Sequence, residues 1–272
     1  MSDAGAFVAA NPRSHPAVDT SAAILADRVG LTLPTSDVPI LDDITMRVAE
    51  GERISIIGPS GGGKTTFLNI LAGVQAWTSG HVLIRGEPPR AGRPDTGYVM
   101  ARDALLPWRT AVQNVELSLQ IRNVPKRERL QRALVALDSV GLRDAADRYR
   151  AELSQGMRQR VALARALVAQ PTLIFLDEPF AALDAQTRIV MNDLLLDLID
   201  RFSGTAVLIT HDLNEAILFA DRIFVFTARP ARLMATHAVE LPRPRHSLTL
   251  RRTQSFLDLY ETLWSAISGS IH

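Results

Sequence analysis

The chain of 272 residues carries a formal net charge of +1 and 47% apolar side chains, the balance of a globular protein long enough to bury a sizeable core. That charge gives no global pull toward nucleic acid or membrane, and the lack of cysteine excludes disulfides, thiolate metal sites and a cysteine nucleophile. No run of about 18 apolar residues is present, and no basic segment followed by an apolar one opens the chain, so neither a membrane span nor a signal peptide is expected.

In chain order, residues 1–21 are rich in Ala, Pro, Ser and Asp without a period, and are expected to form a disordered tail. Residues 23–33 and 44–48 alternate as strands of an edge sheet, joined by the turn-rich 34–39. Arg53-Ile-Ser-Ile-Ile57 reads as a short buried strand. Residues 66–72 read as a helix with Phe67, Ile70 and Leu71 on one face and Gly73 closing it. Further short strands are expected at 81–85 and 96–100. From 110 to 168 the pattern is helical, clearest where Leu130, Ala133, Leu134, Leu137 and Val140 share a face. After Pro171, strands at 173–176, 206–209 and 223–226 alternate with helices at 187–202 and 214–220. Such alternation implies an α/β fold with a mostly parallel sheet, here interrupted by a helical insert at about 102–165. A last amphipathic helix is expected around 256–264, and Arg243, Arg245, Arg251 and Arg252 read as solvated surface.

Three segments carry chemistry. Gly58-Pro59-Ser60-Gly61-Gly62-Gly63-Lys64-Thr65-Thr66 fits G-x-x-x-x-G-K-[ST], the Walker A phosphate-binding loop, and has the strand before it and the helix after it that the motif needs. Its glycines let backbone N–H groups converge on phosphate oxygens, and the helix N-terminus adds partial positive charge. Lys64 is expected to reach the β- and γ-phosphates of ATP, and the Thr65 hydroxyl to sit on Mg²⁺. Leu173-Ile-Phe-Leu-Asp177-Glu178-Pro179 is an apolar strand ending in two carboxylates. Asp177 is placed to hold Mg²⁺, directly or through water, and Glu178 to take a proton from water attacking the γ-phosphate. Ile209-Thr-His211-Asp212 ends the next strand, where His211 can bond a γ-phosphate or orient the base.

Leu153-Ser154-Gln155-Gly156-Met157 resembles the LSGGQ signature that separates ABC ATPases from other Walker A proteins, Ala181-Ala-Leu-Asp184 resembles their D-loop, and His211 matches their switch histidine. The resemblance covers roughly residues 23–226. It implies an ABC-type P-loop NTPase: a RecA-like core with a mostly parallel sheet, an antiparallel edge β-subdomain and an inserted α-helical subdomain. On that division residues 22–228 form the ATPase domain, with core 22–101 and 166–228, and residues 229–272 a C-terminal extension. The resemblance also implies that Ser154 and Gly156 of one subunit cover the γ-phosphate held by Walker A of another. ATP then closes a head-to-tail dimer, by the simpler expectation a homodimer, and hydrolysis reopens it.

Finer features, Leu105-Leu-Pro-Trp108, Leu183-Asp184-Ala-Gln-Thr-Arg188 and Leu241-Pro-Arg-Pro-Arg245, resemble the nitrate/sulfonate/taurine/bicarbonate importer group. They imply a peripheral subunit at the cytoplasmic face of the membrane, docked under a permease that a solute-binding protein supplies. The loop from Met100 to Trp108 would receive the permease, although Leu105, Leu106 and Trp108 taken alone read as core. Three positions depart from the family. Ala101 stands where members carry the Gln that bridges Mg²⁺ and water, with Asp103 nearby as a substitute oxygen. Gln155 replaces a glycine of the signature, and Leu33 falls where an aromatic stacks on adenine. These departures leave open an ATP-dependent dimerising scaffold with little turnover. A nucleic-acid-directed ABC protein is disfavoured, since the sequence has neither cysteine for a zinc insert nor a basic stripe.

Overall fold

In the computed structural model, residues 22–245 and 250–269 are described, so the expected disordered tail lies outside the described residues. Three strands, β1 (Ala22–Leu31), β2 (Leu41–Ala49) and β4 (Ser79–Ile84), form an antiparallel sheet in the order β2-β1-β4. In β2 the burial alternates, Leu41, Ile44, Met46 and Val48 turning inward, as expected of a sheet with one face on a core. A second sheet has the order β5-β6-β7-β3-β8-β9. Its strands are β5 (Thr96–Val99), β6 (Leu173–Asp177), β7 (Thr205–Ile209), β3 (Arg53–Ile57), β8 (Arg222–Phe226) and β9 (Leu233–Ala238). All pairs are parallel except β8 with β9. Every residue of β3, β6 and β7 is buried. Continuous apolar strands of this kind belong to a parallel sheet covered on both faces.

The covering helices are α1 (Lys64–Leu71), α6 (Ala185–Asp200), α7 (Leu213–Phe219) and α8 (Gln254–Gly269). Between β5 and β6 the chain leaves the sheet for α2 (Ala111–Val115), α3 (Leu117–Ile121), α4 (Lys126–Ser139) and α5 (Gln155–Leu167). These pack on a cluster of their own, from Leu105 through Val115, Leu137 and Val161 to Val168. Thr110 starts α2 with a capping box: its hydroxyl accepts from the Gln113 N–H, and the Gln113 side chain accepts from the Thr110 N–H.

Some expectations shift in detail. The helix after the signature begins at Gln155, where the Ser154 hydroxyl caps it, accepting from the Met157 N–H at 3.3 Å. The next begins at Ala185 rather than Thr187, capped by Asp184. Trp108, read alone as core, is 70% exposed, whereas Leu105 is buried in the helical cluster. Arg245, read as solvated surface, is 4% exposed. Its guanidinium donates to the carbonyls of Ile217, Ala220, Val239 and Leu241. Two of these carbonyls belong to the last turn and cap of α7, groups that no intrahelical bond can satisfy.

Candidate active site

The parallel register aligns the carboxyl ends of neighbouring strands: Asp177 of β6 lies beside Ile209 of β7, and Ile209 beside Ile56 of β3. Three segments far apart in sequence therefore emerge at one edge, where open α/β sheets bind ligands. After β3 the backbone turns through Gly58, which runs so close to the Phe226 carbonyl of β8 that a Cβ has no room there. Gly63 takes φ +89° and begins α1 without a side-chain cap. The first intrahelical bond runs from the Phe67 N–H to the Gly63 carbonyl at 2.8 Å. The N–H groups of Lys64, Thr65 and Thr66 thus face outward at the positive end of the helix, as an anion requires.

The loop, Ile40, Glu178 and Arg229 line a cleft of roughly 440 Å³. Lys64 Nζ is buried there and donates to the carbonyls of Gly58 and Pro59, both at 2.9 Å. Burial pulls its pKa below the ordinary lysine value against the pull of Glu178 and Asp177. Thr65 Oγ1 donates to Asp177 Oδ1 at 2.9 Å. Burial pushes the Asp177 carboxyl above its ordinary value, in part offset by the Thr65 hydroxyl. A hydroxyl and a carboxylate side by side are hard oxygen donors suited to Mg²⁺, which arrives on phosphates and takes only one or two protein ligands. The residues therefore fit a magnesium nucleotide.

Glu178 sits at φ +43°, an uncommon backbone state for a residue with a side chain. The surroundings hold it there. Its N–H donates to the Ile209 carbonyl at 2.8 Å, and its Oε2 meets His211 Nδ1 at 3.1 Å. Of the residues expected at the site, Ser60 to Thr66 and Glu178 line the cleft, Asp177 joins through Thr65, and His211 joins through Glu178. Ser154 and Gly156 stand apart at the start of α5, where a Cβ on Gly156 would meet the Thr187 methyl of α6 at 3.1 Å. Leu33 lies in the turn between β1 and β2, exposed and outside the cleft lining. The end of that turn folds Ile40 over Gly63 instead, within 3.2 Å of where a Cβ would stand.

Sequence reasoning missed Ile40 and Arg229. Arg229 follows β8, the strand next to β3, and its guanidinium donates to the Pro39 and Val38 carbonyls at 3.4 and 3.3 Å. Only strand adjacency brings it to the cleft, and no local pattern announces that. The substitute oxygen expected of Asp103 is already engaged. Both its carboxylate oxygens accept from Arg150, at 3.0 and 3.2 Å. Burial pushes Asp103 up, but Arg150 and the Leu105 N–H hold its carboxyl below the ordinary range. The same loop is gripped from α5. Gln159 Nε2 donates to the Ala101 carbonyl at 3.2 Å, and Arg165 to the carbonyls of Asp103 and Ala104 at 2.9 and 2.8 Å.

Residues 41–181 match the family described as ABC transporter. The chain belongs to that family. Among its relatives, this ABC ATPase is 42% identical over 208 residues to an uncharacterized ABC transporter ATP-binding protein of Methanocaldococcus jannaschii, covering 76% of this chain and 78% of the relative. It is 45% identical over 204 residues to the taurine import ATP-binding protein TauB of Pseudomonas aeruginosa, covering 75% and 78%. It is also 41% identical over 227 residues to the nitrate import ATP-binding protein NrtC of Synechococcus elongatus, spanning 82% of this chain but 34% of that longer protein. Among solved structures it resembles an ATP-binding cassette seen as a dimer in a post-hydrolysis state bound to ADP and Pi, with TM-score 0.72 and 32% identity, over 80% of this chain and 100% of that one.

Proposed function

We propose that this ABC ATPase powers import of a small solute of the nitrate or taurine kind, by hydrolysing Mg-ATP at the seam of a head-to-tail dimer. The observation that carries the chemistry is one cleft in which Lys64, the Thr65–Asp177 pair and Glu178 converge. In this reading the outward N–H groups of α1 and Lys64 hold the phosphates. Thr65 and Asp177 hold Mg²⁺, which when bound neutralises charge on the transferring phosphoryl group. Glu178 accepts the proton of the attacking water, and His211 holds the Glu178 carboxylate in place. Ser154, at the cap of α5 and outside its own chain's cleft, serves the γ-phosphate of the second subunit.

A peripheral seat under a permease follows from the same reading. Among the described residues no helix is long and apolar enough to cross a membrane. Trp108, exposed beside the loop that α5 grips, offers the aromatic anchor that such a contact uses. A solute-binding protein would act on the permease and not on this chain.

A second reading rests on Ala101, which has no side-chain oxygen, and on Asp103, which Arg150 occupies. It makes the protein an ATP-closed dimeric scaffold with little turnover. Mg²⁺-dependent phosphate release, measured on the protein alone and with its permease beside Glu178→Gln, separates the two. Turnover that the variant loses by about a thousand-fold, with ATP-dependent dimers retained, supports the motor. No turnover in either protein, permease present, leaves the scaffold.

A further inference from the structure

A buried carboxyl outside the cleft lining takes no part in the chemistry described so far. Glu215, in α7, is 7% exposed. Its Oε2 accepts from Thr210 Oγ1 at 2.6 Å, and its Oε1 accepts from Asn192 Nδ2 of α6 at 3.3 Å. The Thr210 hydroxyl points its proton at Glu215. Its lone pairs are then free for the Asp212 N–H, which donates to Thr210 Oγ1 at 3.0 Å. Asp212 in turn caps α7, accepting from the Asn214 and Glu215 N–H groups at 2.8 and 3.4 Å. The residue between Thr210 and Asp212 is His211.

We infer that Glu215 is a positioning residue of the ATPase reaction, setting through Thr210 the turn that presents His211 to Glu178. Burial pushes the Glu215 carboxyl above its ordinary value, against the pull of the Thr210 and Asn192 donors. A buried acid is a poor way to gain stability, because well-packed apolar side chains serve a core as well or better. Its use here is directional. It fixes which way one hydroxyl points, and that hydroxyl fixes the peptide after His211. The turn holds Glu178 twice, through the Ile209 carbonyl and through the His211 ring. Asn192 adds a tie to α6, the helix that Asp184 of the D-loop-like segment caps.

The inference rests on the proposed roles of Glu178 and His211, and the test keeps the two apart. Steady-state phosphate release is measured on the full chain carrying Glu215→Ala, Glu215→Gln or Thr210→Val, each with and without His211→Ala. With His211 present, Glu215→Ala and Thr210→Val are expected to lower kcat about ten-fold, the size of one charge-assisted hydrogen bond, with KM for ATP unchanged. Glu215→Gln is expected to recover turnover relative to Glu215→Ala, because its amide oxygen still takes the Thr210 proton once Asn192 turns its own amide. In the His211→Ala background the same changes are expected to cost nothing further, the mark of residues acting through one another. Should Glu215→Ala fail to fold, Thr210→Val carries the test, since it keeps the volume and removes only the hydroxyl, with both its bond to Glu215 and the one it accepts from the Asp212 N–H. An equal fold-loss with and without His211, or a loss confined to KM, overturns the inference. If His211→Ala itself turns over at the parent rate, the histidine's proposed role fails and the inference with it. If His211→Ala is slow while Glu215→Ala and Thr210→Val match the parent, the inference alone fails.

Discussion

His211 Nδ1 lies 3.1 Å from Glu178 Oε2, across a gap of 33 residues in sequence. Facing a carboxylate, that ring nitrogen serves as the donor of the pair. A histidine in this role holds the glutamate more than it reacts. His211→Ala is therefore expected to slow hydrolysis by about ten-fold or more while ATP binding is kept. His211→Gln, whose amide still donates, is expected to be milder. Nucleotide titration beside phosphate release checks both, and a His211→Ala protein that loses binding instead of rate would show the ring to be part of the ATP pocket.

Asp177 gives a prediction in pH. Its carboxyl is raised in the folded chain. Between the ordinary aspartate value, about 4, and that raised value the folded state binds more protons than the unfolded one. Stability therefore falls as pH rises through this window, and at neutral pH the ionised group costs stability. Asp177→Asn, which still accepts from Thr65, is expected to unfold at a higher temperature than the parent at neutral pH, with Mg²⁺-dependent turnover lost. The advantage should vanish below about pH 4. Thermal unfolding across pH 3 to 8 reads this out, and an advantage independent of pH would place its origin elsewhere.

Arg229 faces the cleft with two of its donors on the Val38 and Pro39 carbonyls. A guanidinium has five N–H donors and a flat face that stacks on aromatic rings. Arg229→Ala is expected to raise KM for ATP about ten-fold with little change in kcat, and Arg229→Lys to restore the phosphate-dependent part alone. Comparing ATP with tripolyphosphate as competitors shows which part of the nucleotide the residue serves.

The local part of this site was legible in the sequence. Strand, glycine loop and helix follow one another in 53–72, so their geometry is encoded by neighbours. Asp177 and Glu178 were legible for the same reason, as the end of a buried apolar run. The side chains that reading misplaced are set by distant partners. Ile40 and Arg229 reach the cleft only because β2 starts and β8 ends beside the loop. Trp108 and Leu105 have the same apolar character, yet one faces out and the other in, since periodicity is too short there to fix a face. Arg245 reads as surface because charge normally is. It is buried because α7 ends inside the protein and its carbonyls need donors.

That last contact predicts a stability effect. Arg245→Met keeps most of the volume but strands the buried carbonyls of Ile217 and Ala220. The expected loss is about 3 kcal/mol, from buried acceptors without donors. Thermal unfolding, with hydrogen exchange read at α7 and α8, measures it. Faster exchange confined to those two helices would locate the damage, whereas exchange unchanged there would remove Arg245 from the account of how the end of the chain is held.

The helical unit leaves the sheet after β5 and returns in β6, and these two strands are paired neighbours from Thr96–Leu173 to Val99–Leu176. Its exit and entry are thus stapled together at the edge of the sheet, while the residues that meet in the cleft follow the ends of β3 and β6. Such an arrangement behaves as a socket. The excursion can lengthen, shorten or change its outer surface without the strand ends that line the cleft being redrawn. On the proposed reading only the start of this excursion's last helix, at Ser154, is tied to the nucleotide, so the outer surface of the adaptor can differ while the seam between β5 and β6 stays the same.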